Sequence, residues 1–166
     1  MRIGTDALIE IRALQPADRE HISQILVATN MFTDEEIRVA IELIDAALHD
    51  PQQQDYEIFT AVDEKREIVG YYCAGPTPLT QGTYDLYWIA VAPSVQGRGI
   101  GVQLSNHAEV RVRARGGRLL VAETSSQSKY DNTRAFYLKH GYLEVARIKE
   151  YYKPGDDLVI YGKYVS

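Results

Sequence analysis

A single stretch decides the fold of this chain: Ile89-Ala90-Val91-Ala92-Pro93-Ser94-Val95-Gln96-Gly97-Arg98-Gly99-Ile100-Gly101. An apolar, β-rich run ends at Pro93, a glycine-punctuated loop follows, and a helix-compatible segment begins near Ile100. The start of a helix offers free backbone N–H groups and the positive end of the helix dipole. The three glycines remove the Cβ atoms that would keep a ligand away, and they permit positive φ angles. The stretch therefore predicts a pyrophosphate-binding loop.

The spacing within this loop separates it from the two commoner phosphate loops. It lacks a Gly-Lys-Ser/Thr ending, which argues against a P-loop nucleotidase, and it lacks the spacing and position of a dinucleotide fingerprint. The run Gln96-Gly97-Arg98-Gly99-Ile100-Gly101, preceded by Ala-Val-Ala-Pro, instead resembles the acetyl-CoA pyrophosphate loop of the GNAT N-acetyltransferase superfamily. The alternative is a glycine-rich turn between a strand and a helix that binds nothing.

Composition sets broad limits on the function. A chain of 166 residues predicts a single domain over 1–166. The net charge of −5 argues against a nucleic-acid-binding protein, which needs a basic surface. The sequence has no apolar run that could cross a bilayer and no secretory signal, so we expect no membrane association and a cytoplasmic location.

The cysteine and histidines give no sign of a metal or a disulfide. Cys73 stands alone and is expected to be a small buried side chain, with a nucleophilic thiol as the alternative. The histidines lack the spacing of metal ligands, so we expect no metal site; they are His21, His49, His107 and His140.

Hydrophobic periodicity and turn signals divide the chain into alternating elements. Strands are predicted at 8–14, 56–62, 68–74, 83–91, 118–124, 142–149 and 158–165. Helices are predicted from Pro16, from a Thr33–Glu36 capping box to about His49, and over 100–115 and 130–140. The order βααβββαβαββ indicates an α+β fold with a mixed sheet and helices on both faces. It is also the GNAT order, which implies a mostly antiparallel, seven-stranded sheet with four helices.

The resemblance implies how acetyl-CoA or CoA is held. In the GNAT family the strand before the loop splays from its neighbour and pairs, through its backbone, with the pantetheine arm. Those backbone groups belong here to Ile89, Ala90 and Val91, and residues 96–101 would surround the pyrophosphate. Arg98, and also Arg134, are candidates for contacts with phosphate charge, although either could equally be a solvated surface residue.

A second run, residues 130–142, resembles the GNAT pattern Asn-x-x-Ala-x-x-Phe/Tyr-Tyr-x-x-x-Gly-Phe/Tyr. The resemblance implies that Asn132 contacts the cofactor arm and that the Tyr137 hydroxyl protonates the departing thiolate. A phenol with a pKa of about 10 suits a thiolate of comparable basicity. Taken alone, the aromatic residues of this run could equally be packing residues of an amphipathic helix.

Two acids are candidates for the base that takes the ammonium proton. Asp85 occupies the place in the splayed strand where some GNAT enzymes carry a catalytic glutamate, and alternation puts it on the same face as Ile89. We prefer Asp85, either as base or as ammonium anchor, over Glu123 near the end of the following strand. A structural hydrogen bond is the alternative for Asp85.

The last part of the chain bears on the acceptor amine. The predicted loop over 151–157 is similar to the tail of GNAT enzymes that acetylate peptide α-amines. Tyr151 and Tyr152 could hydrogen-bond a substrate there, and Tyr87 lies on the face of Asp85. The alternative is a polar hairpin turn.

The sequence thus predicts an acetyl-CoA-dependent N-acetyltransferase in which a primary amine attacks directly. The acceptor is a peptide α-amine, an amino acid or another small amine. A non-catalytic acyl-CoA-binding or sensor domain of the same fold is the alternative. Whether the chain forms a homodimer is left open by the sequence.

Overall fold

The computed structural model describes residues 8–166, which form seven strands and four α-helices. In chain order these are β1 (Glu10–Ala13), α1 (Asp18–Ala28), α2 (Asp34–His49), β2 (Glu57–Val62), β3 (Ile68–Pro76), β4 (Thr83–Val91), α3 (Ile100–Ala114), β5 (Leu119–Ser125), α4 (Asp131–Lys139), β6 (Leu143–Lys153) and β7 (Asp156–Tyr164). Short 3₁₀ turns precede the glycine loop and α4. The predicted order of elements is confirmed.

The strands form one mixed sheet in the order β1-β2-β3-β4-β5-β7-β6. β4 and β5 run parallel, whereas the pairs β1–β2, β2–β3, β5–β7 and β7–β6 are antiparallel. This mostly antiparallel arrangement with four helices confirms the predicted fold class. None of the helices within residues 8–166 has the length and apolar character needed to span a bilayer.

Local sequence signals set the limits of two helices as predicted. The Thr33 hydroxyl accepts a hydrogen bond from the Glu36 N–H at 3.2 Å, and the Glu36 carboxylate accepts one from the Thr33 N–H at 2.7 Å. This reciprocal capping satisfies two backbone donors that α2 leaves unpaired at its start. α3 ends before Gly116, whose φ of +80° follows the usual pattern of a helix stop.

Contacts divide the chain into two compact units. The first contains residues 8–75 and Trp88–Ala108. On one face of its strands, Tyr71 and Cys73 of β3 pack in a core with α1 and α2, and burial raises the pKa of the Cys73 thiol to about 12. On the other face, the Tyr72 hydroxyl lies 2.7 Å from Nδ1 of His107 on α3. Cys73 is therefore a buried side chain, as expected.

The second unit contains Pro76–Tyr87 and Glu109–Ser166. Its β5, β7 and β6 form an antiparallel sheet, with α4 leading into β6. The predicted loop over 151–157 is wrong in extent: β6 continues to Lys153, which pairs with Asp156, so the turn shrinks to Pro154–Gly155. Tyr151 and Tyr152 consequently lie in a strand. The single domain over 1–166 stays a prediction.

Candidate active site

The glycine loop of the first unit has the backbone that its sequence predicts. Gly97 and Gly99 adopt φ angles of +79° and +78°, which an L side chain tolerates poorly. A Cβ on Gly97 would have no atom of the described chain within 4 Å, so backbone conformation rather than packing requires glycine there. The space beside the loop is open to a ligand.

α3 begins directly after these glycines. Ile100 is its first residue, and the Gln103 N–H donates to the Gly99 carbonyl at 3.0 Å as the first bond of the helix. The N–H groups before Gln103 therefore have no acceptor within α3. Such a cluster of donors at a helix start suits a pyrophosphate, so the residues present fit the diphosphate of CoA.

The end of β4 is tied to this loop. Gln96 Nε2 donates to the Val91 carbonyl at 3.3 Å. Ala90 is buried, whereas Ile89 and Val91 are half-buried. This alternation agrees with the predicted faces of the strand. Because a carbonyl oxygen has two lone pairs, the bond from Gln96 leaves Val91 able to accept a second donor.

In the second unit, the parallel pairing between β4 and β5 is short. Their parallel pairing joins Thr83, Tyr84 and Asp85 to Leu119, Leu120 and Val121. Both strands continue past the last of these pairs. The pairing of the two strands therefore ends at Asp85, and the splay of β4 that the family resemblance implies stays a prediction.

Asp85 already has a partner in this unit. The Thr77 hydroxyl donates to Asp85 Oδ2 at 2.6 Å, and the Thr77 N–H donates to the Thr83 carbonyl at 2.8 Å. These bonds close the turn between β3 and β4. The structural hydrogen bond that is the alternative for Asp85 is therefore present. Tyr87, two residues further along β4, is exposed.

Glu123 lies in a different setting on β5. It pairs with Ile160 of β7, and its side chain is exposed. Within residues 8–166 its carboxylate has no hydrogen bond or ion pair. Partial burial, and then the charge of Glu123, raise the pKa of Tyr152 to about 12. The rings of Tyr151 and Tyr152 lie 5.1 Å apart at 87°. The charge of Glu123 therefore acts on the phenol of Tyr152.

Tyr137 is fixed on both sides by other tyrosines. Its ring stacks on Tyr161 at 5.5 Å and 26°, and it meets Tyr142 edge-on at 5.1 Å. Burial raises its pKa above the usual phenol value, so the hydroxyl stays protonated at neutral pH. In the described chain this hydroxyl has no hydrogen-bond partner. It is therefore a neutral donor with its proton uncommitted.

The segment leading into α4 is held by partly buried polar contacts. Arg134 donates to the carbonyls of Ser125 and Gln127, at 2.6 and 3.0 Å, and it also bonds Asp131. Ser125 and Gln127 in turn donate to the buried Asp156 of β7. Arg134 therefore makes internal contacts and is not a solvated surface residue, while its contact with phosphate stays a prediction. Asn132 is exposed in the first turn of α4, and Arg98 is exposed in the loop.

Three residues that support these groups carry no signal in the sequence. Thr77 binds Asp85, Tyr161 stacks on Tyr137, and the Lys163 ammonium donates to Glu109 and to the His140 carbonyl at the end of α4. Each lies in a different element from the group it supports, and no local pattern marks such a partner. Residues 8–166 contain no group of three or more His, Cys, Asp or Glu side chains that could hold a metal ion.

Comparison with known proteins agrees with this arrangement. A model of the acetyltransferase (GNAT) domain matches residues 54–144. The structure of a GNAT-family protein from Desulfovibrio desulfuricans is 42% identical, with a TM-score of 0.89, and the match covers 95% of this chain and 99% of that one. No curated protein matches. The chain belongs to the GNAT acetyltransferase family.

Two more distant structures share the fold. An aminoglycoside 6′-N-acetyltransferase in complex with coenzyme A is 19% identical over 95% of this chain and 97% of that one, with a TM-score of 0.75. The ribosomal-protein-S18-alanine N-acetyltransferase of Escherichia coli is 18% identical over 96% of this chain and 95% of that one, with a TM-score of 0.72.

Proposed function

We propose that this chain is an acetyl-CoA-dependent N-acetyltransferase whose acceptor is a primary amine that attacks directly. The observation that carries the proposal is the loop of Gly97 and Gly99, whose positive φ angles lead straight into the open N–H groups of α3. The family membership, and the coenzyme A bound by a protein of the same fold, support it. Acetyl-CoA supplies an acyl group activated as a thioester.

The chain's own residues would hold this substrate mainly through backbone groups. Residues 96–101 bind the diphosphate, and the main chain of Ile89, Ala90 and Val91 orients the pantetheine arm. Asn132 contacts the same arm from the start of α4. Backbone donors are fixed by the fold, so they lose little freedom when the ligand binds.

Tyr137 is proposed as the general acid, which donates its hydroxyl proton to the leaving sulfur. Its buried ring cannot turn away because Tyr161 and Tyr142 pack against it. The raised pKa keeps the proton on the hydroxyl until a basic thiolate forms beside it.

The surroundings of the two candidate acids favour Glu123 as base or ammonium anchor, against the preference drawn from the sequence. Asp85 is engaged by Thr77, whereas the Glu123 carboxylate is exposed and close enough to Tyr152 to raise its pKa. A carboxylate that is free of partners can accept an ammonium proton or bind the ammonium group. Asp85 and Tyr87 would then line the site that binds the acceptor.

For the acceptor we propose an amine with hydrogen-bonding groups near its nitrogen, such as a peptide α-amine, an amino acid or another small polar amine. Tyr151 and Tyr152 offer hydroxyls to such groups, and Glu123 offers a negative charge. The fold neighbours include enzymes named for an aminoglycoside and for a ribosomal-protein alanine, which differ widely in size.

An acceptor screen tests the proposal. The protein is incubated with acetyl-CoA and panels of small amines, amino acids and peptides, and thiol release is measured. We expect turnover with one class and none without an acceptor. Tight CoA binding in calorimetry without turnover on any amine would instead support a non-catalytic acyl-CoA-binding domain.

A further inference from the structure

Among residues 8–166, one edge of the sheet is long and has no further strand beside it. β6 is the last strand of the sheet, and all eleven of its residues are exposed. Its exposed apolar side chains include Leu143, Val145 and Ile148. A long edge strand of this kind offers unpaired backbone groups to another strand. β1, at the opposite end of the strand order, has only four residues, and Glu10 and Arg12 in it form ion pairs.

A bulge in β6 sorts its side chains between two faces. Leu143, Ala146 and Ile148 pair with Gly162, Ile160 and Leu158 of β7, whereas Glu144 and Arg147 pair with Tyr161 and Val159. The register shifts between Glu144 and Ala146, so Val145 is the extra residue. Glu144 and Arg147 therefore share one face, where they form an ion pair at 2.8 Å, and Leu143 and Ile148 share the other.

The segment Leu143–Ile148 is complementary to itself when it is read in the antiparallel direction. Leu143 then lies opposite Ile148 of a second copy, Glu144 opposite Arg147, and Val145 opposite Ala146. Apolar groups meet on one face and opposite charges meet on the other, which are the pairs that stabilise neighbouring strands.

We propose that the outer edge of β6 is a homodimer interface, in which the Leu143–Ile148 segments of two copies pair antiparallel across a two-fold axis. A two-fold interface uses the same surface on both copies, so it requires this kind of self-complementarity. Arg147 also binds Asp157 at 3.1 Å, and its five N–H donors can serve a further carboxylate from the second copy. Tyr151 and Tyr152 lie beyond the paired segment and stay accessible to an acceptor.

Complementary charge reversals test this interface in the full chain. Light scattering coupled to size exclusion should give a dimer for the parent protein. In the Arg147→Glu variant, two glutamates face each other at both symmetry-related 144–147 pairs of the dimer. In the Glu144→Arg variant, two arginines face each other at the same two pairs. Each variant alone should dissociate, with the dimer dissociation constant raised roughly tenfold or more. An equimolar mixture should form a heterodimer, because Glu144 of one copy then faces Arg147 of the other, and the two substituted side chains, which carry opposite charges, also face each other.

A matched pair of leucine variants checks the apolar face independently. Leu143→Lys should weaken the dimer, whereas Leu138→Lys, on α4 and similarly exposed, should not (the residues are 69% and 55% exposed). Circular dichroism confirms that each variant is folded. A parent protein that is monomeric at all concentrations, or charge variants that do not recover on mixing, would overturn the proposal.

Discussion

Tyrosines occupy two opposite settings in the second unit. Tyr137 is 5% exposed and lies between the rings of Tyr161 and Tyr142, whereas Tyr151 and Tyr152 are 57% and 49% exposed on an edge strand. The same side chain is fixed in one place and accessible in the other. A step common to every acetyl transfer needs a group in one position, while recognition of an acceptor needs groups that a variable partner can reach. On the function proposed above, the buried Tyr137 supplies the proton, whereas Tyr151 and Tyr152, in the hairpin formed by β6 and β7, bind the acceptor.

Replacing the buried phenol should have the largest effect. Tyr137→Phe keeps the ring packing but removes the proton donor, so kcat should fall by roughly 10²–10⁴ while affinity for CoA is unchanged. Steady-state kinetics and calorimetry measure the two quantities. The stacked neighbour gives a matched control, since Tyr161→Phe should leave kcat within about twofold of the parent value. A full rate in Tyr137→Phe would mean that water supplies the proton.

Two matched substitutions decide whether the base is the half-buried Asp85 or the exposed Glu123. Glu123→Gln should lower kcat/KM by roughly 10² and abolish the acid limb, on which the rate rises with pH as the base loses its proton. Asp85→Asn should keep that limb, because the Thr77 bond already commits its carboxylate. The reverse pattern would restore Asp85 as the base. A limb kept in both variants would report the titration of the substrate amine itself.

The glycine loop extends the comparison to the first unit. Gly99→Val places a β-branched side chain at a φ of +78° and adds a Cβ between the backbone and the diphosphate. We expect CoA affinity in calorimetry to fall roughly ten- to a hundredfold, the range of about 1–3 kcal/mol. Gly116→Val carries the same strain at a φ of +80° after α3. It should lower the Tm without changing CoA affinity, and equal loss of affinity in both variants would contradict a direct role of the loop.

Much of the fold was predictable because its signals are local. The Thr33–Glu36 capping box, the alternation of β4 and the glycines after Pro93 each act within a few residues, and the structure confirms them. The end of β6 was not predictable in the same way. The composition of this stretch, with Pro154, Gly155 and two aspartates, is typical of a loop. Asp156 nevertheless lies buried in β7, where it accepts hydrogen bonds from Ser125 and Gln127, which lie far upstream in the chain.

The candidate site shows the same division. Motif spacing predicts roles for the loop, Asn132 and Tyr137, since these lie in runs that the family pattern covers, and those roles stay predictions. The surroundings of Asp85 and Glu123 depend on Thr77 and Tyr152, which the sheet brings near them from other elements. Residue type alone therefore could not rank the two acids.

The exposed tyrosine pair should give the smallest effect. If Tyr151 and Tyr152 only bind the acceptor, then Tyr151→Phe and Tyr152→Phe each remove one hydrogen bond and raise the acceptor KM by about two- to tenfold, with kcat unchanged. The pKa of Tyr152 is raised to about 12, so its hydroxyl is neutral in both free and bound protein below about pH 11. The change in KM should accordingly be the same from about pH 6 to 9. Tyr164→Phe, an exposed tyrosine on β7, is the control and should not alter KM. A fall in kcat as large as that of Tyr137→Phe would show that Tyr151 or Tyr152 takes part in the chemical step, and it would contradict a role in acceptor binding alone.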